Sequence, residues 1–260
     1  MTVDYRREGR VAYITLNRSE KLNALSNEMY QALGEAMRAY DMDDDAWVGI
    51  LSGEGRSFCS GADVESRQQR PAEELRQQGG ISGPYGRHIW DIALKSVNHK
   101  PIIAAVHGYA LGAGFAAALC ADLVVADETA RFQVTEAQRG LSSIQFLAAL
   151  QLRSLGASAV DACLTGRFMN ADEALQRDLV NRCVPAGRHL DAAKELAESL
   201  LRIPPLSVRA SVRHRRHELL AVVDEAKYEA EPLRLHLSED FRISGQAFLN
   251  KEENPRFTAS

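Results

Sequence analysis

The sequence predicts an α/β chain, and three observations carry that reading. Val11-Ala12-Tyr13-Ile14-Thr15-Leu16-Asn17 alternates and is rich in β-formers, as a strand does. After Ser26, a good N-cap, Met29, Leu33, Met37 and Tyr40 recur on one face of a helix, and Trp47-Val48-Gly49-Ile50-Leu51 then returns as strand. The third observation is a strand entering a helix through glycines. Ile102-Ile103-Ala104-Ala105-Val106 reads as a buried strand, and Phe115-Ala116-Ala117-Ala118-Leu119-Cys120 as a buried helix. Gly108, Gly112 and Gly114 lie between them. Alternating strand and helix is the α/β pattern.

Composition narrows the class. The chain has 260 residues, 45% of them hydrophobic, enough for one large domain with a sizeable core. A net charge of −4 argues against non-specific nucleic-acid binding. The start, MTVDYRREGR, has no apolar stretch behind its arginines, so no signal peptide is expected. The longest apolar run, residues 111–121, is too short to span a membrane. Cys59, Cys120, Cys163 and Cys183 show no CxxC or metal-like spacing. They read as buried free thiols in a reducing compartment, so the expectation is a cytoplasmic protein with no metal, membrane or nucleic-acid partner.

In chain order, the acidic run Asp41–Asp45 reads as a solvated turn, because negative charge opposes a helix C-terminus. Residues 52–63, SGEGRSFCSGAD, form a second glycine-rich turn with Gly53, Gly55 and Gly61. They hold neither GxGxxG nor a P-loop lysine, so a nucleotide fingerprint is excluded. Two such turns at strand ends are expected to converge on one site. There, unpaired backbone N–H groups could bind an anion or a developing oxyanion. The alternative is that the glycines only let the helix pack close to the sheet.

Residues 67–97 are polar and hold Gly79-Gly80, Gly83-Pro84 and Gly86; only Ile89, Trp90, Ile92 and Leu94 suggest a helix there. Further helices are expected at 144–155 (capped by Ser142 or Ser143), 157–164, 171–176 and 189–202. A turn is expected at 165–168 and an extended segment at 179–184. Pro204-Pro205 precedes two last helices, 207–223 and 225–237. Arg209, Arg213, Arg215 and Arg216, with His214 and His217, read as a solvated helix face, and His107 as a loop residue bonding locally.

Three segments together resemble the enoyl-CoA hydratase/isomerase family, the crotonase superfamily. They are Asn17-Arg18-Ser19-Glu20-Lys21-Leu22-Asn23-Ala24-Leu25, Phe58-Cys59-Ser60-Gly61-Ala62-Asp63-Val64 and Gly108-Tyr109-Ala110-Leu111-Gly112-Ala113-Gly114-Phe115. The similarity continues through Asp122-Leu123-Val124-Val125-Ala126 and Ala130-Arg131-Phe132-Gln133-Val134-Thr135-Glu136. It runs on to Gly245-Gln246-Ala247-Phe248-Leu249-Asn250-Lys251 and Asn254-Pro255-Arg256-Phe257. The resemblance implies a crotonase-type spiral of ββα units over residues 1–200, holding an acyl-CoA site. A C-terminal helical region, 201–260, would serve trimer packing and closure of the CoA pocket. It implies a homotrimer or dimer of trimers, and no cofactor apart from coenzyme A within the substrate. It puts the two oxyanion-hole amides at Ala62 and Ala113, and CoA along Lys21, Leu22, Ala24, Ser60, Asp63 and Val64. Lys251 matches a lysine that approaches the CoA phosphates; the alternative is a solvated residue in a Lys-Glu-Glu run.

The chain departs from the family pattern at the acid–base groups. Family hydratases carry a glutamate four residues after the first glycine of the second turn, and that position here is Ala116. The second family glutamate is present as Glu136, whose alternative reading is a carboxylate favoured at a helix start. Ile144 stands where relatives have a glycine whose backbone helps hold a water. Glu65, Tyr85, His88, Ser142 and Ser143 are candidates to reach the acyl group, His88 because a histidine titrates nearest neutrality. The expectation is a single-glutamate enzyme of thioester enolates, doing isomerisation or specialised hydration or lyase chemistry. A family thioester hydrolase or decarboxylase using His88 or the serines, and an acyl-CoA-binding protein that has lost activity, are the alternatives.

Overall fold

The computed structural model describes residues 1–78, 88–153 and 156–260. Tyr85 and the glycines at 79, 80, 83 and 86 lie outside the described residues, as do the last two residues of the helix expected to end at 155.

A hairpin opens the chain: β1 (Val3–Glu8) pairs antiparallel with β2 (Val11–Leu16). Helix α1 (Asn27–Met42) follows, and the Ser26 hydroxyl caps it by accepting from the Met29 amide. Strand β3 (Val48–Gly53) then lies parallel to β2. Three short helices come next: α2 (Val64–Arg67), α3 (Ala72–Gln78) and α4 (Ile89–Leu94). Strand β4 (Ile102–Val106), β5 (Tyr109–Leu111) and α5 (Ala113–Cys120) make one ββα unit. Strands β6 (Leu123–Asp127) and β7 (Arg131–Gln133) then lead to α6 (Ile144–Leu152) and α7 (Ala157–Thr165). After β8 (Met169–Asn170), α8 (Ala171–Gln176) and β9 (Arg182–Val184), the chain closes in α9 (His189–Leu201), α10 (Pro205–Ala230) and α11 (Glu239–Asn250).

The spiral follows from how these strands are shared. The large sheet has the order β1-β2-β3-β4-β6-β9 and the small one β5-β7-β8. Each turn therefore lays a strand in the large sheet and the next in the small one: β4 then β5, β6 then β7. Cys59 extends the scheme by bridging to Ala110 of β5. Both faces of the large sheet are covered, so its central strands read as unbroken apolar runs. Val11, Tyr13, Ile50, Ile103 and Val125 pack with Ala193 and Ala197 of α9. Ala12, Ile14, Leu51, Ala104 and Val124 face the main core with α1, α4 and α5.

Several expectations need correction. Asp41 is not in a solvated turn: it ends α1, is buried, and accepts from the Val97 amide at 2.7 Å and the Asn98 amide at 3.0 Å. The buried Lys100 ammonium donates to the Tyr40 and Asp43 carbonyls, so a cation offsets the acid at that helix end. The helices expected at 207–223 and 225–237 merge into α10, because no glycine or proline interrupts residues 206–230, and the end of the second is instead two 3-10 turns, Glu231–Leu233 and Leu235–Leu237. Pro205 sits at its first position, where a missing N–H costs nothing. Arg215 and Arg216 are not solvated; both turn inward to Asp122, while His214 and His217 stay exposed as expected. Strands β1, β5 and β8 are too short or too polar to announce themselves by periodicity. Among the described residues no helix is long and apolar enough to cross a membrane.

Candidate active site

Two loops converge where the spiral's small sheet ends. In the first, the chain turns through a 3-10 helix (Ser19–Lys21) and two left-handed residues, Leu22 and Asn23. The fully buried Asn23 amide donates to the carbonyls of Glu54 and Ser57, at 2.9 and 2.8 Å, and its Oδ1 accepts from the Arg18 amide. That side chain staples residues 18–25 to the second loop. Leu25 N to Gly61 O at 2.8 Å and Asp63 N to Leu25 O at 3.1 Å complete the seam.

The second loop is tied to the third. Cys59 donates to the Tyr109 carbonyl and accepts from the Leu111 amide, at 2.8 and 3.0 Å. Gly61 (φ +98°) and Gly112 (φ +45°) are glycines by necessity. A Cβ on Gly61 would stand 2.8 Å from the Leu111 carbonyl, and one on Gly112 would stand 2.5 Å from Thr135 Oγ1. The close-packing reading of these glycines therefore holds, and the packing is also what forms the turn.

The result is a pair of unclaimed donors. Neither the Ala62 nor the Ala113 amide makes a hydrogen bond within the protein among the described residues. A Cβ on Gly61, the residue before Ala62, would lie 3.8 Å from Ala113 N. Ala113 is the first residue of α5, whose leading N–H groups carry the positive end of the helix dipole.

Glu136 faces the same point. Its Oε1 lies 3.5 Å from where a Gly112 Cβ would be. It stands at the start of a 3-10 helix (Ala137–Arg139), as its alternative reading expects, but makes no capping bond with its side chain. Its Oε2 is buried without a partner among the described residues. Burial pushes its pKa from the usual 4.5 up to about 7, against weaker lowering by backbone amides and Arg139. On α5 the buried Ala116 turns only a methyl group toward the same space.

A cavity of about 830 Å³ joins these groups. Lys21, Leu22, Ala24, Ser60, Asp63 and Val64 all line it, as do Ala62, Ala113, Ala116 and Glu136. Lys251 does not: it ends α11 exposed, while Phe248 and Leu249 of that helix reach the wall. Lys227 and Ala230 of α10 also line it, so the C-terminal region contributes to its wall. The Asp63 carboxylate is already committed, to Arg18 at 2.6 Å and to the Ser66 amide at the start of α2. Partial burial would raise its pKa, but those bonds hold it below the usual carboxylate range.

The remaining candidates divide. Glu65 lies exposed on the rim. Ser142 lines the cavity and accepts from the Ile144 amide, whereas Ser143 donates to the Cys163 carbonyl and does not line it. His88 lines the cavity, but burial pushes its pKa down to about 4, so it is neutral where it was expected to titrate. His107 bonds locally, with Nε2 at 2.9 Å from the Gly55 carbonyl and its ring stacked on His189. Cys59, Cys120 and Cys163 are buried and Cys183 half-buried, all as free thiols.

Two contributors escaped the sequence. Asn23 stands in the first motif, yet its three carbonyl acceptors lie over thirty residues away. Arg67 ends a four-residue helix too short for any periodicity, and it lines the cavity while almost wholly buried.

Known proteins share this architecture throughout. The family model described as enoyl-CoA hydratase/isomerase matches residues 6–259. The enoyl-CoA hydratase EchA19 of Mycobacterium tuberculosis is 34% identical over 249 residues, covering 94% of this chain and 92% of that protein. The carnitinyl-CoA dehydratase of Salmonella paratyphi A is 34% identical over 258 residues, covering 95% of each. Among solved structures, the carnitinyl-CoA hydratase of Mycobacterium avium superposes with a TM-score of 0.83 at 31% identity, covering 100% of this chain and 99% of that one.

Proposed function

The chain belongs to the enoyl-CoA hydratase/isomerase family, and from that premise we propose that it stabilises the enolate of an acyl-CoA thioester and moves a proton with one glutamate. The thioester oxygen sits between the Ala62 and Ala113 amides. Enolate formation puts negative charge on that oxygen, so two fixed donors stabilise the transition state more than the neutral thioester. Glu136 takes a proton from the carbon beside the carbonyl and returns it there or to a neighbouring carbon. Coenzyme A runs over Lys21, Leu22, Ala24, Ser60, Asp63 and Val64, as part of the substrate.

The observation that carries this reading is the Glu136 carboxyl itself, its Oε2 buried and without a partner among the described residues, poised at a pKa of about 7 beside two unclaimed amides. Ala116 offers no second carboxylate for a water. The reaction is therefore isomerisation, or a specialised hydration or lyase reaction in which the substrate or Glu136 alone manages the water. The relatives named hydratase and dehydratase make the lyase arm the first to assay. The same reading carries a homotrimer or dimer of trimers, which light scattering checks.

Exchange of the α-protons of a saturated acyl-CoA with heavy water tests the proposal without knowledge of the natural acyl group. The wild type is expected to exchange them, and Glu136→Gln to lose roughly 10²–10⁴-fold. Tight binding of CoA esters with no exchange by the wild type would make it a binding protein instead. Exchange that survives in Glu136→Gln would assign the proton to another group.

A further inference from the structure

The cavity wall holds a buried cation that makes no ion pair among the described residues. Arg67 is 3% exposed and lines the wall. Its guanidinium lies 4.2 Å over the Tyr30 ring, and Nη1 donates to Asn27 Oδ1 at 2.7 Å. Nε and Nη2 have no partner among the described residues. The carboxylate that acts on it, Asp63, is already bonded to Arg18 at 2.6 Å. Arginine stays charged even when buried. A buried charge with open donors is costly unless an anion meets it.

The open donors have a shape. Nε and Nη2 form one edge of the guanidinium, the pair that gives two parallel hydrogen bonds to a carboxylate. The surroundings say which part of a thioester reaches them. Tyr30, under the guanidinium, and Trp90 and Phe146, edge-on to each other at 5.4 Å, are buried and line the cavity. Lys21, Arg56 and Lys227 also line the cavity, but all three are exposed and hydrated, and Lys227 is near enough to His88 to help hold it neutral. His88, in the same wall, has a buried Nδ1 without a partner among the described residues. It is neutral and adds a hydrogen bond rather than a second charge.

We propose that the open edge of Arg67, with His88 beside it, receives a carboxylate at the far end of the acyl group, so that the preferred substrates are mono-CoA thioesters of dicarboxylic acids. This rests on reading the cavity as an acyl-CoA site. A methyl-terminated acyl chain of the same length leaves the guanidinium edge unmet. A terminal carboxylate meets it with two charge-assisted bonds.

Binding rather than turnover tests this, so the outcome is independent of the enolate chemistry. Calorimetry with saturated esters, which undergo no net turnover, compares glutaryl-, adipyl- and suberyl-CoA with pentanoyl-, hexanoyl- and octanoyl-CoA. At least one dicarboxyl ester is expected to bind roughly 10–100-fold tighter than its methyl-ended partner, the range of a charged hydrogen bond. Arg67→Met, which keeps the apolar volume, should erase that preference while free CoA binds as in the wild type. Arg67→Lys, which keeps the charge but not the fork, should retain only part of it. No preference in the wild type at any length would overturn the proposal. So would a preference that survives in Arg67→Met or disappears only in Arg139→Met. An Arg67→Met loss shared equally by every ester and by free CoA would assign Arg67 to the CoA moiety and overturn it too. If Arg67→Met does not fold, the graded loss in Arg67→Lys carries the decision.

Discussion

At the C-terminal end of α5 the carbonyls are claimed several times over. Leu119 O accepts from Arg153 and Arg215, at 3.1 and 2.9 Å, and Cys120 O accepts from Arg215 at 3.1 Å. Asp122, just beyond, pairs with Arg216 at 2.5 Å and accepts from the Ile102 amide at the start of β4. At the other end, Ala113 N and the neighbouring Ala62 N have no partner among the described residues. The difference teaches how a helix can leave one end open. Cations at the tail suit the dipole and fasten α5 to α6, α10 and β4. The head can then keep its donors open without the helix drifting, and the open donors point at a cavity rather than at other residues.

Breaking the tail should cost stability before it costs chemistry. Arg216→Met leaves Asp122 buried with its shorter ion pair gone, and removes the bonds from Arg216 to Lys100 O and Ser96 Oγ. The expected loss is about 3–5 kcal/mol of folding stability, a Tm drop of roughly 6–15 °C by calorimetry. Breaking the head should do the reverse. Ala113→Pro deletes one donor at the first helical position, where proline fits. About 2.7–4 kcal/mol of barrier is expected to return, read as a 10²–10³-fold loss in kcat with little change in Tm. A large Tm loss in Ala113→Pro, or a large kcat loss in Arg216→Met assayed well below its Tm, would break the division of labour.

That division also marks what was legible in the sequence. The head was readable, because glycines at 61 and 112 are forced by backbone geometry and announce themselves by residue type. The α5 strand-to-helix run was readable because burial on all sides leaves an unbroken apolar stretch. The tail was not. Arg215 and Arg216 lie in a run of basic residues whose hydropathy is that of a solvated face. Only tertiary packing brings them to Asp122, over ninety residues away. Asp41 misled for the same reason, since its answering groups, Lys100 and the Val97 and Asn98 amides, come from the far side of α4. Glu136 could be placed from the motif, but its poise could not, because desolvation is a property of the walls. Arg67 had neither a period nor a motif position to mark it.

The head's chemistry can be sharpened through pH. Glu136 has a folded pKa of about 7 against the usual 4.5. The neutral form is the one the fold favours, so its stabilisation is full below about 4.5 and is lost as pH rises through about 7. Between those limits the wild type should lose up to about 3 kcal/mol relative to Glu136→Gln. Proton abstraction needs the ionised form. Heavy-water exchange should therefore rise about tenfold per pH unit below about 7 and level off above it. A flat stability difference between the two proteins from pH 4.5 to 8 would show that the carboxyl is solvated rather than buried.

The smallest effect separates the tail's contacts from one another. Arg153, at the end of α6, gives Leu119 O its second hydrogen bond. Burial lowers the Arg153 pKa to about 10, so it remains a cation at neutral pH. When Arg153→Met removes that bond, Leu119 O keeps the one from Arg215 at 2.9 Å, so no buried acceptor is orphaned. Only the net worth of one bond is lost, about 0.5–1.5 kcal/mol, or a few °C in Tm. The double variant Arg153→Met/Arg215→Met strips Leu119 O of both, and its loss should exceed the sum of the singles by roughly 0.5–3 kcal/mol. Strict additivity would mean that the two arginines act through their charge on the helix dipole and not through a shared acceptor.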